Sequence, residues 1–176
     1  TIPAIAPDMV TPGAAQSLAR DAGAPGAIDP RLQETSRHGM LPIAASGLAP
    51  VRAYAAAAPD GAAAATTPTV AVVLSGLGIS ATQTAEAIRR LPAAVTLGFA
   101  PYGADVRKLT AEARAAGHEI LLQVPMEPFD YPDNDPGPQT LLTSVASAQN
   151  LDRLHWHMSR FAGYVGLMPF MGARLV

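Results

Sequence analysis

Val70-Ala71-Val72-Val73-Leu74-Ser75-Gly76-Leu77-Gly78 decides the fold. A continuous apolar run that ends in small turn residues reads as a parallel strand entering a turn. Ser80 and Gln83 stand at capping-box spacing, so a helix follows from Ser80 to about Leu91, where Pro92 ends it. The pattern then repeats. Val95–Phe99 reads as a second strand, closed by Pro101-Tyr102-Gly103, and Ala104–Ala116 as a second helix stopped by Gly117. Glu119–Val124 is a third strand ended by Pro125. After a long polar loop comes a third helix, about Ala148–Phe161, with Leu151, Leu154, Met158 and Phe161 on one stripe. Tyr164–Met168 is a fourth strand. Strands alternating with helices predict an α/β fold, with parallel strands and outer helices. Four strands and three helices make a partial (β/α) barrel or a small open sheet. The chain starts at Thr1 rather than Met and stops without a covering helix, so it is expected to be a piece of a longer one.

Residues 1–69 differ in composition. They hold 20 alanines, nine prolines and one aromatic, Tyr54. Such a segment buries too little apolar area to offset ordering entropy. It is expected to be an Ala/Pro-rich linker at 1–28 and 55–69, with a possible docked strap over 41–54; residues 70–176 form the incomplete domain. The charge balance of 12 basic and 14 acidic residues gives −2 and argues against a nucleic-acid partner. No apolar run is long enough to span a bilayer. Cysteine is absent, which excludes a cysteine nucleophile and cysteine-ligated zinc.

Active sites of parallel α/β folds lie beyond the carboxyl ends of strands. That singles out Ser75-Gly76, Ala100-Pro101-Tyr102, Gln123 to Glu127, and Met168 to Phe170. Ser75-Gly76-Leu77-Gly78 matches neither the dinucleotide nor the phosphate-loop fingerprint, and Ser75 lacks the Gly-x-Ser-x-Gly elbow, so these glycines read first as a tight turn. His118 sits at the amino end of its strand, where a helix terminus favours it for structural reasons. His155 and His157 point to different helix faces and form no metal pair. The loop 126–138 carries Glu127, Asp130, Asp133 and Asp135. Paired acids there could serve acid–base work, although Asp and Asn beside Pro and Gly are also plain turn chemistry. Glu127, fixed between Met126 and Pro128 near a strand end, is the best single acid.

The blocks Val72–Gly78, Leu91-Pro92 with Val95-Thr96-Leu97, Gly117-His118-Glu119, Val124–Pro128, Gly163–Gly166 and Met171-Gly172 resemble, in that order, the divergent polysaccharide deacetylase family. The resemblance covers about Val70–Val176. It implies a partial (β/α) barrel related to NodB-type deacetylases, a bacterial cell-envelope or periplasmic location, and a glycan ligand. Hydrolysis in the wider group uses a divalent metal such as zinc, held by one Asp and two His, with a second Asp as base. The positions that match are Ser75 and Gly76 for the Asp pair, and Gln123 and Phe170 for the two histidines. No metal ligand and no cofactor are therefore expected in this chain. Ser75 and Glu127 are the catalytic candidates; Tyr102, Gln123, Met126 and Asp130 are the substrate-binding candidates. The resemblance leaves three functions open: a degenerate deacetylase-like domain that keeps its sugar cleft, an active deacetylase with substitute ligands such as Glu127, Asp130 or His118, and a structural envelope module.

Overall fold

The computed structural model describes residues 27–56 and 70–176. The expected linkers at 1–28 and 55–69 lie almost wholly outside the described residues. After a short 3-10 turn at Pro30–Leu32 come strands β1 (Gln33–Ser36) and β2 (Gly39–Pro42) and a one-turn helix α1 (Pro50–Ala53). The main body follows as β3 (Val73–Leu77), α2 (Ala81–Arg90), β4 (Thr96–Phe99), α3 (Val106–Ala115), β5 (Ile120–Met126), α4 (Ser147–Met158) and β6 (Gly166–Met171). Strands β3 to β6 form a parallel sheet in sequence order, as the alternating pattern predicts.

One face of that sheet carries the core. Leu97 and Phe99 of β4 alternate with Gly98, and Ile120, Leu122 and Val124 of β5 alternate with Leu121 and Gln123, as a period of two requires. These five apolar side chains are at most 1% exposed and pack against Ile88 of α2 and against Val106, Leu109 and Ala113 of α3. Each contributes roughly 1.5–3 kcal/mol by leaving water, so the helix-covered face supplies most of the apolar stabilisation. The other face, with Gly98, Leu121 and Gln123, belongs to the inside of the partial barrel.

Three boundaries depart from the sequence reading. The first strand runs Val73–Leu77 rather than Val70–Leu74, and Val70 and Val72 are 87% and 54% exposed. Among the described residues β3 is an edge strand paired with β4 alone, so its apolar run has a neighbour on one side and is not the buried strand the composition suggested. Ser75 and Gly76 thus lie inside the strand rather than in a turn after it. The register shifts between Leu74 and Leu77, with Gly76 at φ +80°, a bulge that glycine tolerates without strain. The third strand continues through Pro125 to Met126. Pairing with β4 has ended at Phe99–Leu122, and the Pro125 carbonyl accepts from Leu141 N (2.9 Å) on that vacated side, so the missing N–H breaks no ladder bond. The fourth strand begins at Gly166. Tyr164 instead is buried, with its hydroxyl donating to Met158 O (3.1 Å) and its ring edge-on to Phe161.

The segment 27–56 contains an antiparallel hairpin, which the composition of residues 1–69 concealed. Leu32, Leu41 and Tyr54 are buried. The hairpin is tied to α4 by Asp152, whose Oδ1 meets His38 Nε2 (2.7 Å) and the Arg37 guanidinium. Arg114 of α3 donates to the Tyr54 carbonyl and lies over its ring at 5.2 Å. His118 is buried with both ring nitrogens on backbone carbonyls, Nδ1 at 2.9 Å from Val95 O and Nε2 at 3.2 Å from Ile88 O. It staples α2 to the start of β4, at the end of β5 opposite to Glu127.

Candidate functional site

On the inner face, the side chains nearest the carboxyl ends of the strands converge because Gly98 has none. A Cβ there would come 2.7 Å from Met168 Sδ and 3.4 Å from Ser75 Cα. The bare Cα lets β3 and β6 side chains approach across the two central strands. Gln123 is paired in register with Met168 and is 2% exposed; its Oε1 accepts a 2.6 Å hydrogen bond from Gly76 N. That bond satisfies an amide which the bulge has freed from the ladder. Phe170, in register with Pro125 and two residues beyond Met168, lies on the same face and is partly exposed. The structure therefore brings Ser75, Gly76, Gln123 and Phe170 onto one surface. Its polar groups are a hydroxyl, a carboxamide and backbone amides. Among the described residues no group of three His, Cys, Asp or Glu is placed to hold a metal ion.

Glu127 and Tyr102 hold the loop after β5. The buried Glu127 carboxylate accepts from Thr143 N (2.5 Å) and Thr143 Oγ1 (2.8 Å), and its other oxygen lies 3.5 Å from Arg174 Nη1. Its backbone is held too, with N donating to Leu141 O and O accepting from Arg174 N. The Thr143 amide, then its hydroxyl, then Arg174 hold the carboxyl below the usual glutamate range. Tyr102 donates its hydroxyl to Pro138 O (3.0 Å), and its ring sits where a side chain at Gly137 would fall. Burial pushes that phenol far above its ordinary range, so it stays a neutral donor. Met126 ends β5 against Met171 and Leu141. Asp130 is apart from all of these, exposed beside Phe129, which is 74% exposed. Asp135 Oδ1 accepts from Gly137 N (2.9 Å), the local turn bond that its neighbours suggested.

Sequence reading missed Thr143 and Arg174, which complete the Glu127 clamp, and it placed Met168 at a strand end without showing that its side chain fills the space over Gly98. Gly98 inside an apolar strand was the one visible signal, since an interior glycine marks a close approach.

The clamp has a pH signature. Because the folded carboxyl titrates below its unfolded value of 4.5, it stabilises the fold fully above that pH and loses the contribution as pH falls through the lower folded value. Glu127→Gln should keep a Thr143 partner while losing the charge. It is expected to raise amide exchange at Thr143 and Arg174 at neutral pH, and to flatten the acid limb of the stability curve below about pH 4.5. An unchanged acid limb in the variant would show that the carboxylate is not the clamp.

The comparisons agree with this architecture. The family model for divergent polysaccharide deacetylases matches residues 72–176. The crystal structure of an uncharacterized protein from Agrobacterium tumefaciens superposes with a TM-score of 0.72 at 45% sequence identity, over 77% of this chain and 54% of that one. The chain thus spans about half the length of that relative. No curated protein matches it. The matched stretch begins within the apolar run before β3 and takes in all of β3 to β6, and the chain belongs to the divergent polysaccharide deacetylase family.

Proposed function

We propose that this is a degenerate, carbohydrate-binding member of the family, serving in the cell envelope without metal-dependent hydrolysis. The observation that carries the reading is the hydrogen bond from Gly76 N to Gln123 Oε1. It joins two of the positions at which the family resemblance places a metal ligand or the base, and it occupies the carboxamide oxygen. The other two positions offer a serine hydroxyl and a phenyl ring. A catalytic zinc site takes three protein ligands and one open position, from carboxylate, imidazole or thiolate. The residues present do not fit such an ion. Of the substitute ligands, Glu127 holds Thr143 and Arg174, the His118 ring faces two carbonyls at the far end of β5, and Asp130 stands exposed and apart from the inner face.

What the face retains suits a sugar: hydroxyl, carboxamide and backbone polar groups beside the partly exposed Phe170 ring. Chitotetraose incubated with the protein and zinc, cobalt or manganese should release no acetate above the protein-free control. In calorimetry the same oligosaccharide should bind, and Phe170→Ala should weaken that binding about ten-fold by removing the partly exposed ring on which a sugar face would lie. Metal-dependent acetate release would overturn the degenerate reading. Absence of binding for N-acetylated oligosaccharides would leave the structural-module function in its place.

A further inference from the structure

Helix α3 carries Arg107 and Arg114 seven residues apart, two turns along one face. Between them Ala111 contributes to the floor of an open cavity of about 270 Å³, with Ile28 and Met40 from the N-terminal segment on one wall and Phe161 on the other. The hydroxyls at its border are already used: Thr110 donates back to Val106 O (2.9 Å) and Ser159 to Trp156 O (2.8 Å). The cations are not neutralised in the same way. Arg107 Nε donates to the Arg160 carbonyl, and Arg114 donates to the Tyr54 carbonyl. Among the described residues neither has a carboxylate within 4.0 Å. The nearby Glu119 carboxylate is instead bonded to Ala56 N (3.0 Å). Arg114 Nε is buried and has no acceptor among the described residues. A half-buried guanidinium with a spare donor, and with the Glu119 carboxylate acting on it only from beyond ion-pair distance, carries a desolvation cost that an anion would offset.

We propose that this cavity, distinct from the inner sheet face, binds a small amphiphile with one carboxylate, its acid group paired with Arg114 in the field of Arg107 and its apolar chain lying along Met40 and Phe161. A volume of about 270 Å³ is enough for a carboxylate and a chain of several carbons. Guanidinium geometry matches a carboxylate, and the side chains of Ile28, Met40 and Phe161 in the lining favour an occupant with an apolar chain over a bare inorganic anion.

Octanoate is a direct probe, with octanamide as its uncharged counterpart. Calorimetry on the full chain should give one octanoate site and binding of octanamide at least ten-fold weaker, the size of one charge-assisted contact. Arg114→Met keeps the stem but removes the charge, and should weaken octanoate about ten-fold while leaving octanamide unchanged. Since Arg114 also ties down Tyr54, a second variant is needed. Ala111→Trp, at an exposed helix position, should fill the floor and abolish octanoate binding with an unchanged melting temperature. Equal binding of octanoate and octanamide, octanoate binding that survives Ala111→Trp, or no octanoate binding by the natural chain would each overturn the proposal. None of these outcomes bears on the inner-face reading, which is tested with sugars.

Discussion

The variant Ser75→Asp, Gly76→Asp, Gln123→His, Phe170→His is expected to bind zinc at least about 1,000-fold more tightly than the natural chain, a difference of about 4 kcal/mol. The natural chain should hold zinc no better than a generic surface site. The expectation rests on ligand count: four substitutions supply two carboxylates and two imidazoles, where the natural positions offer a hydroxyl, a hydrogen atom, an engaged carboxamide and a phenyl ring. The backbone is ready for them. Gly76 has φ +80°, a region that aspartate enters more readily than most residues, and a Cβ there meets nothing within 4 Å. Ser75 is exposed, and Gln123 already reaches across β4 to Gly76, so an imidazole at 123 starts from the right strand face. Phe170 shares that face two residues beyond Met168. Calorimetry and metal analysis on both proteins decide the matter. Stoichiometric zinc in the natural chain, lost in Glu127→Ala, would restore hydrolysis as the leading function. A folded quadruple variant without zinc would show that the four positions do not share one site.

The sheet was legible because strand and helix periods differ. Leu97 and Phe99, like Ile120, Leu122 and Val124, alternate at period two and end at glycine or proline, while Val106, Leu109 and Ala113 recur at helical spacing. The hairpin was not legible. Gln33–Ser36 and Gly39–Pro42 are short, the first is wholly polar, and only Leu41 among the eight residues is buried. Their stability comes from tertiary contacts, with Asp152 of α4 and around Tyr54, that no local pattern encodes. The site divided in the same way. Strand order alone pointed only to stretches at strand ends, Ser75-Gly76, Ala100 to Tyr102, Gln123 to Glu127 and Met168 to Phe170, and the family resemblance narrowed these to Ser75, Gly76, Gln123 and Phe170. That Glu127 works as a clamp depends on Thr143 and Arg174, 16 and 47 residues away in the chain, and an acid at a strand end reads identically whether it is free or engaged.

His157 should make the fold acid-labile well above the range in which carboxylates titrate. The residue is completely buried, and Nε2 lies 2.9 Å from Gln139 O, so the proton sits on Nε2 and donates to that carbonyl. Nδ1 is buried without a partner among the described residues. Protonating it would place a cation among the rings of Tyr102 and Trp156, with Arg153 and Arg160 adding repulsion. Burial, the largest cause, lowers the imidazole to about 4 from 6.5, against the opposing effect of the Gln139 bond. The sign follows from linkage. A folded-state value below the unfolded one means that the unfolded chain takes up the proton first, so stability is complete above pH 6.5 and falls as pH drops toward 4. With the imidazole at about 4 in the folded state, linkage gives a loss of about 2 kcal/mol by pH 5 and about 3 kcal/mol by pH 4. For a domain of ordinary stability that is a large fraction of the total. His157→Gln keeps an N–H for Gln139 and does not titrate. Urea unfolding at pH 7, 6 and 5 should therefore show a steep loss in the natural chain and a nearly flat profile in the variant, before Glu127 begins to contribute. Parallel slopes in the two proteins would mean that another group carries the pH dependence and that the buried imidazole accepts its second proton without penalty.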